Sequence, residues 1–273
     1  MLLSPSPVTP GSTSADRGGP LVSLRGVAKT FANGTTALHR LDLDVPEGAF
    51  VSLLGPSGCG KSTALRIIAG LIEPTAGSVT WPGSGNQDHR GEIGFVFQEP
   101  TLMPWATAAD NVWLPLRLRG VSRREAAERI AESLAQVGLS GFEAAYPREL
   151  SGGMKMRVSI ARALSLRPKI LLMDEPFAAL DEITRFKLND DLLRLRRELG
   201  CTVVFVTHSV YESVYLSSRI VVMAARPGRV VETIEVEAPD LRDEGFRGTP
   251  LYAELARRAS RALHGAMNPS DHL

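Results

Sequence analysis

Only two of the 273 residues are cysteine, Cys59 and Cys201, and neither stands at a spacing that makes a disulfide framework or a metal site. That excludes a stapled scaffold and a thiolate centre, and a reduced, cytosolic compartment is expected. No apolar run approaches the roughly 18–20 residues that cross a bilayer, and the N-terminus lacks the charged-then-apolar order of a signal peptide. The chain is therefore expected to be soluble by itself. An excess of one charge is missing too: 31 Lys and Arg stand against 30 Asp and Glu, so composition carries no nucleic-acid or anionic-membrane footprint. There is no internal repeat. What is present is apolar bulk, 44% of the chain, enough to bury a large core and to exclude disorder throughout.

Residues 1–20 are rich in Ser, Pro, Gly and Thr and read as a disordered leader. Alternating apolar positions predict strands over 21–24 and 38–45, and an apolar strand over 49–54 runs into a glycine loop. Helical spacing follows Lys61 through Leu65, Ile68, Ala69 and Leu71. A turn-rich stretch at 81–91 leads to a strand over 92–97 that ends at Gln98. From about 107 to 140 the pattern is helical, with a capping box at Ser122-Arg123-Arg124-Glu125 and an apolar face of Ala127, Ile130, Leu134 and Val137. A helix from Gly153 to about 166, a strand over 170–173, a helix over 182–199 and a strand over 201–206 come next. Strands over 220–223 and 230–236 and a helix over 249–263, carrying Leu251, Leu255 and Ala262, complete the chain. Strands apolar on both faces, alternating with helices, predict an α/β fold with a mostly parallel sheet.

Gly55-Pro56-Ser57-Gly58-Cys59-Gly60-Lys61-Ser62 has the spacing of a phosphate loop, and it stands where that motif must, after a strand and before a helix. Glycines let backbone N–H groups turn toward one anion, and the next helix adds its positive end. Lys61 is expected to reach the β and γ phosphates of a nucleotide, and Ser62 to place its hydroxyl on Mg²⁺. Asp174 ends an apolar strand at the ligand side of such a sheet and is expected to hold Mg²⁺ through water. Glu175 is the candidate base or positioner for the water that attacks the γ-phosphate.

Leu150-Ser151-Gly152-Gly153-Met154 precedes a helix about twenty residues before Asp174. It resembles the signature motif that separates ABC-type ATPases from other phosphate-loop proteins. Four further matches follow in the family's order: Phe31 as the aromatic that stacks on adenine, Gln98 as the glutamine loop, Ala179-Leu180-Asp181 as the dimer-contact loop, and His208 as the switch histidine. The resemblance covers about residues 21–235. It implies an ABC ATPase domain over 21–236 with an N-terminal antiparallel β subdomain and a helical insertion at about 100–150, then a short helical tail over 237–273. It also implies ATP held by Phe31, the loop from Gly55 through Ser62, and Thr63, with Mg²⁺ on Ser62, Gln98 and Asp174. Lys61, Gln98, Glu175 and His208 would be the catalytic groups. Two copies would face head to tail, Ser151, Gly152 and Gly153 completing the site of the other copy. Met154 and Met156 depart from the pattern, standing where Gln is frequent; a backbone anion site needs neither side chain.

Leu102-Met103-Pro104-Trp105, the run from Asp174 to Glu182, the run from Thr207 to Ser213, and Arg226-Pro227-Gly228 look like the nitrate, sulfonate and taurine importer ATPases. That likeness implies integral membrane permease subunits as partners, a solute-binding protein indirectly, no nucleic acid, and a peripheral place on the cytoplasmic face of the inner membrane. Trp105 is a candidate for the groove that receives a helix of the permease; packing inside the helical insertion is its equal alternative. A soluble ATP-dependent dimeric clamp acting in regulation or on nucleic acid is the competing function.

Overall fold

The computed structural model describes residues 19–82, 89–239 and 242–267. The leader expected over 1–20 falls outside them except for its last two positions, as do part of the 81–91 stretch and the end of the tail. Strands β3 (Phe50–Leu54), β5 (Ile93–Val96), β6 (Ile170–Asp174), β7 (Thr202–Thr207), β8 (Arg219–Ala224) and β9 (Arg229–Glu235) form one sheet in the order β5-β6-β7-β3-β8-β9. Five run parallel, and β9 turns back antiparallel on β8. A second, antiparallel sheet joins β2 (Thr36–Pro46), β1 (Pro20–Thr30) and β4 (Ala76–Thr80), in that order. This is the fold expected, an α/β phosphate-loop core with an antiparallel β unit at its N-terminal side.

The central strands are apolar because both faces are covered. In β3, Val51 and Leu53 pack toward α1 (Lys61–Ile68) and the antiparallel sheet, while Phe50 and Leu54 face the remaining helices. Those are α2 (Ala108–Leu118), α3 (Ala127–Gln136), α4 (Gly152–Leu164), α5 (Glu182–Leu199), α6 (Val210–Leu216) and α7 (Pro250–Ala266). Buried Ser52 completes the pattern by pairing its hydroxyl with Ser217 at 2.5 Å, since a lone buried hydroxyl is costly.

Three local expectations shift. Helix α1 stops at Ile68, because Gly70 takes a left-handed φ of 65° and its N–H bonds Ile67; Leu71 is exposed rather than on the buried face. The capping box forms, with Ser122 N–H donating to Glu125 and Glu125 N–H to the Ser122 hydroxyl. The buried face of the segment is nevertheless Ala126, Ile130, Leu134 and Val137, with Ala127 exposed. In α7 it is Tyr252 that is buried, and Leu251 is not.

Phe205, in the middle of β7, packs between Phe50 at 5.9 Å and Phe177 at 5.6 Å between ring centroids. It thus ties the segment after Asp174 to the sheet. Phe205→Ala is expected to cost about 3–5 kcal/mol, measured as the shift in urea unfolding; a loss well below that range would contradict a close-packed contact here.

Candidate functional site

Three neighbouring strands deliver the site. Parallel β6, β7 and β3 end together, so Asp174 and Glu175, then His208, then the glycine loop leave the sheet on one side. This carboxyl edge is where open α/β sheets bind ligands.

The loop's geometry depends on close backbone contacts. Gly60 has φ 89°, and a Cβ there would lie 2.6 Å from the Ala37 carbonyl oxygen and from Leu38 Cδ2. Gly55 is hemmed in by the Met223 carbonyl and by Cys59, whose buried thiol is pushed up by desolvation. Helices α2, α4, α5, α6 and α7 each have a side chain capping the first turn, from Thr107, Ser151, Asp181, Ser209 and Thr249. Helix α1 has Gly60 as N-cap, no side-chain cap and no acidic residue in its first turn. Its leading N–H groups and dipole are left for an anion.

Lys61 is 4% exposed and folds back on this loop, its Nζ donating to the Gly55 carbonyl at 2.8 Å and the Pro56 carbonyl at 3.0 Å. It lies 3.7 Å from Glu175 Oε1. Beside it, the Ser62 hydroxyl donates to Asp174 Oδ1 at 2.7 Å. Burial pushes the Asp174 carboxyl above its ordinary value, opposed by the Ser62 hydrogen bond and the Arg66 charge. A hydroxyl and a carboxylate side by side are hard oxygen donors that fit Mg²⁺, which keeps its other positions for water and substrate phosphates.

Glu175 has φ 46°, a left-handed conformation uncommon outside glycine, while its N–H still bonds the Val206 carbonyl at 3.1 Å. Its Oε2 lies 3.2 Å from His208 Nδ1. Lys61, Ser62, Asp174, Glu175 and His208 therefore form one cluster.

Other expected residues lie apart. Phe31 is half-exposed in the turn before β2, its N–H bonding Thr35 O, with Lys29 Nζ 5.6 Å from the ring centroid. That turn enters the strand whose Ala37 and Leu38 touch Gly60. Gln98 leaves β5 just past the Val96–Met173 pair, exposed, and among the described residues no hydrogen bond joins it to Ser62 or Asp174. Ser151 caps α4, accepting from the Met154 N–H at 3.3 Å. Gly152 and Gly153 face Leu180 and Thr184 of the same chain, and no hydrogen bond among the described residues joins 151–153 to the glycine loop. Met156 is buried, which removes it as a contact to any opposing nucleotide, and Met154 packs on the core.

Trp105 is 76% exposed and so is not packed inside the insertion. An open groove of about 260 Å³ lies beside edge strand β5, lined by Phe95, Phe97, Thr101, Leu114, Leu118 and Arg162 among others; Trp105 does not line it. Arg162, on α4, holds the loop beneath by donating to the carbonyls of Pro100 and Thr101.

Gly228 had no structural role in the sequence beyond its likeness to a family run. It forms a parallel bridge to Leu38, accepting from His39 N–H at 2.9 Å and donating to Ala37 O at 3.0 Å. A Pro-Gly pair signals a turn, but nothing local says what the turn touches.

The family model described as ABC transporter matches residues 38–178. The aliphatic sulfonates import ATP-binding protein SsuB 1 of Pseudomonas syringae pv. syringae is 47% identical, covering 90% of this chain and 97% of that protein. The taurine import ATP-binding protein TauB of Rhizobium johnstonii is 42% identical over 87% of this chain and 92% of its own length. A dimeric ATP-binding cassette in a post-hydrolysis state, bound to ADP and Pi, superposes with TM-score 0.70 at 38% identity, covering 80% of this chain and all of that one.

A Cβ on Gly228 would lie 2.2 Å from Cys59 O and 2.5 Å from Ala37 O, both backbone atoms. Gly228→Ala is expected to cost about 1–3 kcal/mol in thermal unfolding and to weaken ATP binding by titration; an unchanged affinity would mean that Gly228 does not hold the loop.

Proposed function

The chain belongs to the ABC transporter family, and we propose that it is the ATP-hydrolysing subunit of an importer for a small anion or organic solute of the nitrate, sulfonate or taurine kind. It binds and hydrolyses ATP as a dimer and powers a membrane importer through permease partners. The observation that carries the reading is the convergence of Lys61, Ser62, Asp174, Glu175 and His208 at one edge of the sheet. A soluble clamp acting in regulation or on nucleic acid is not favoured. Likeness to import subunits runs over most of the chain, and the net charge of +1 supplies no phosphate-binding excess.

In this reading the triphosphate lies on the glycine loop and the N-terminus of α1, with Lys61 released from the Gly55 and Pro56 carbonyls to the β and γ phosphates. Phe31 stacks on adenine, and Thr63 continues the cradle after Ser62. Ser62 and Asp174, with Gln98 from its loop, would hold Mg²⁺, which would supply charge neutralisation at the phosphates. Glu175 orients the attacking water and takes its proton; His208, 3.2 Å from Glu175, fixes that carboxylate and reads the γ-phosphate end. Ser151, Gly152 and Gly153 serve the site of a second copy; among the described residues no hydrogen bond joins them to the glycine loop of their own chain.

The groove beside β5 suits an apolar helix of the permease, with Phe97 and Leu118 among its lining; Trp105, exposed on the loop after Gln98, is outside that lining. Among the described residues no helix is long and apolar enough to cross a membrane. Attachment is then peripheral, on the cytoplasmic face of the inner membrane, and a solute-binding protein acts through the permease.

Glu175→Gln is expected to leave ATP binding intact, to trap a closed dimer, and to lower hydrolysis by about 10²–10⁴-fold; turnover near the wild-type rate removes Glu175 from its role. In the reconstituted complex, Leu118→Ala is expected to cost about 2 kcal/mol of docking, read as lost transport with basal ATPase kept. Retained transport, or basal ATPase lost together with the fold, would sink the docking assignment.

A further inference from the structure

Behind Glu175 and His208 lies a second set of polar residues for which the catalytic reading has no use. Glu212, on the first turn of α6, is buried, its side chain 9% exposed. Its Oε2 accepts from the Thr207 hydroxyl at 2.6 Å, and that same hydroxyl oxygen accepts from the Ser209 N–H at 2.9 Å. Of the two residues that flank His208, Thr207 is bonded to this carboxylate directly and Ser209 through the Thr207 hydroxyl, which ties down the backbone from which the imidazole projects.

Across from Glu212 stands Arg185, on the first turn of α5. Its Nη2 donates to the Leu180 carbonyl at 3.0 Å, within the Ala179-Leu180-Asp181 loop. Its Nε lies 3.4 Å from Glu212 Oε1, buried and without a hydrogen-bond partner. A buried charge is kept only where it is paired, so Arg185 and Glu212 hold each other in place. Between them and the catalytic pair is a cavity of about 10 Å³ lined by Glu175, Arg185, Thr207, His208 and Glu212, at the threshold for one water. Little can move on one side without being felt on the other.

We propose that Arg185 and Glu212 are positioning residues that couple the 179–181 loop to His208. Displacement of the Leu180 carbonyl is carried by the Arg185 guanidinium to Glu212, and through the Thr207 hydroxyl to the turn bearing His208. Placement of the loop against a second copy thereby sets the angle at which His208 meets Glu175. The inference rests on the ATPase reading above and adds to it a link between dimer contact and catalytic geometry.

The test is a double-mutant cycle with Arg185→Met and Glu212→Gln in the full chain reconstituted with its membrane subunits. Each single variant is expected to lower kcat by about 10- to 100-fold, with the ATP KM within about twofold and the melting temperature little changed. The double variant is expected to fall no further than the worse single one. Losses that multiply in the double variant, or kcat left at the wild-type value, overturn the coupling. Thr207→Val keeps the ion pair and cuts its tie to the His208 turn, so it serves where Glu212→Gln does not fold. The same loss of kcat is expected there, and an unchanged kcat overturns the proposal. Failure of the underlying reading is distinct: the wild-type chain itself would not hydrolyse ATP, and the coupling would fall with it.

Discussion

The parallel pairing of β6, β7 and β3 is the constraint from which the rest follows. Because these strands run in register, Asp174 against Val206 and Leu54 against Thr207, the residues just beyond their ends are delivered to one place without any local signal linking them. The pairing holds because both faces of the three strands are apolar and covered, by α1 and the antiparallel sheet on one side and the larger helical layer on the other. Each group of the cluster then needs only the right residue at a strand's end.

Electrostatics at that edge is arranged for a ligand with negative charge. Helix α1 offers uncapped N–H groups, Lys61 is held by two carbonyls, and Ser62 and Asp174 stand paired at hydrogen-bond distance. Glu175 has a left-handed backbone, and the adjacent carboxylates take up different surroundings. One sits with a hydroxyl, the other with an imidazole.

Much of this was legible in the residues because it is local. The glycine loop, the strand ending at Asp174, the caps at Ser151 and Asp181 and helix α5 are each written in a short run, where turn residues and periodicity act directly. What was not legible is non-local. Ala126 replaces Ala127 on the buried face because both stand at helical spacing from Ile130, four and three residues before it, so the spacing alone does not choose between them. The contact of Gly228 with the glycine loop depends on the β8–β9 hairpin folding back, and the Arg185–Glu212 pair joins two helices that only the sheet brings together. Ser151 matched the expected pattern in sequence, yet among the described residues no hydrogen bond joins residues 151–153 to the glycine loop of their own chain.

That separation bears on the central claim, that the two halves of each site come from different copies. It is tested most directly by mixing two inactive variants, Lys61→Ala and Ser151→Arg, and measuring single-turnover ATP hydrolysis. If the halves act across the dimer, one site of each mixed dimer combines an intact loop with an intact signature turn, and hydrolysis returns on mixing. Mixed dimers that form and stay inactive would contradict the account, because each chain would then carry its own complete and damaged site.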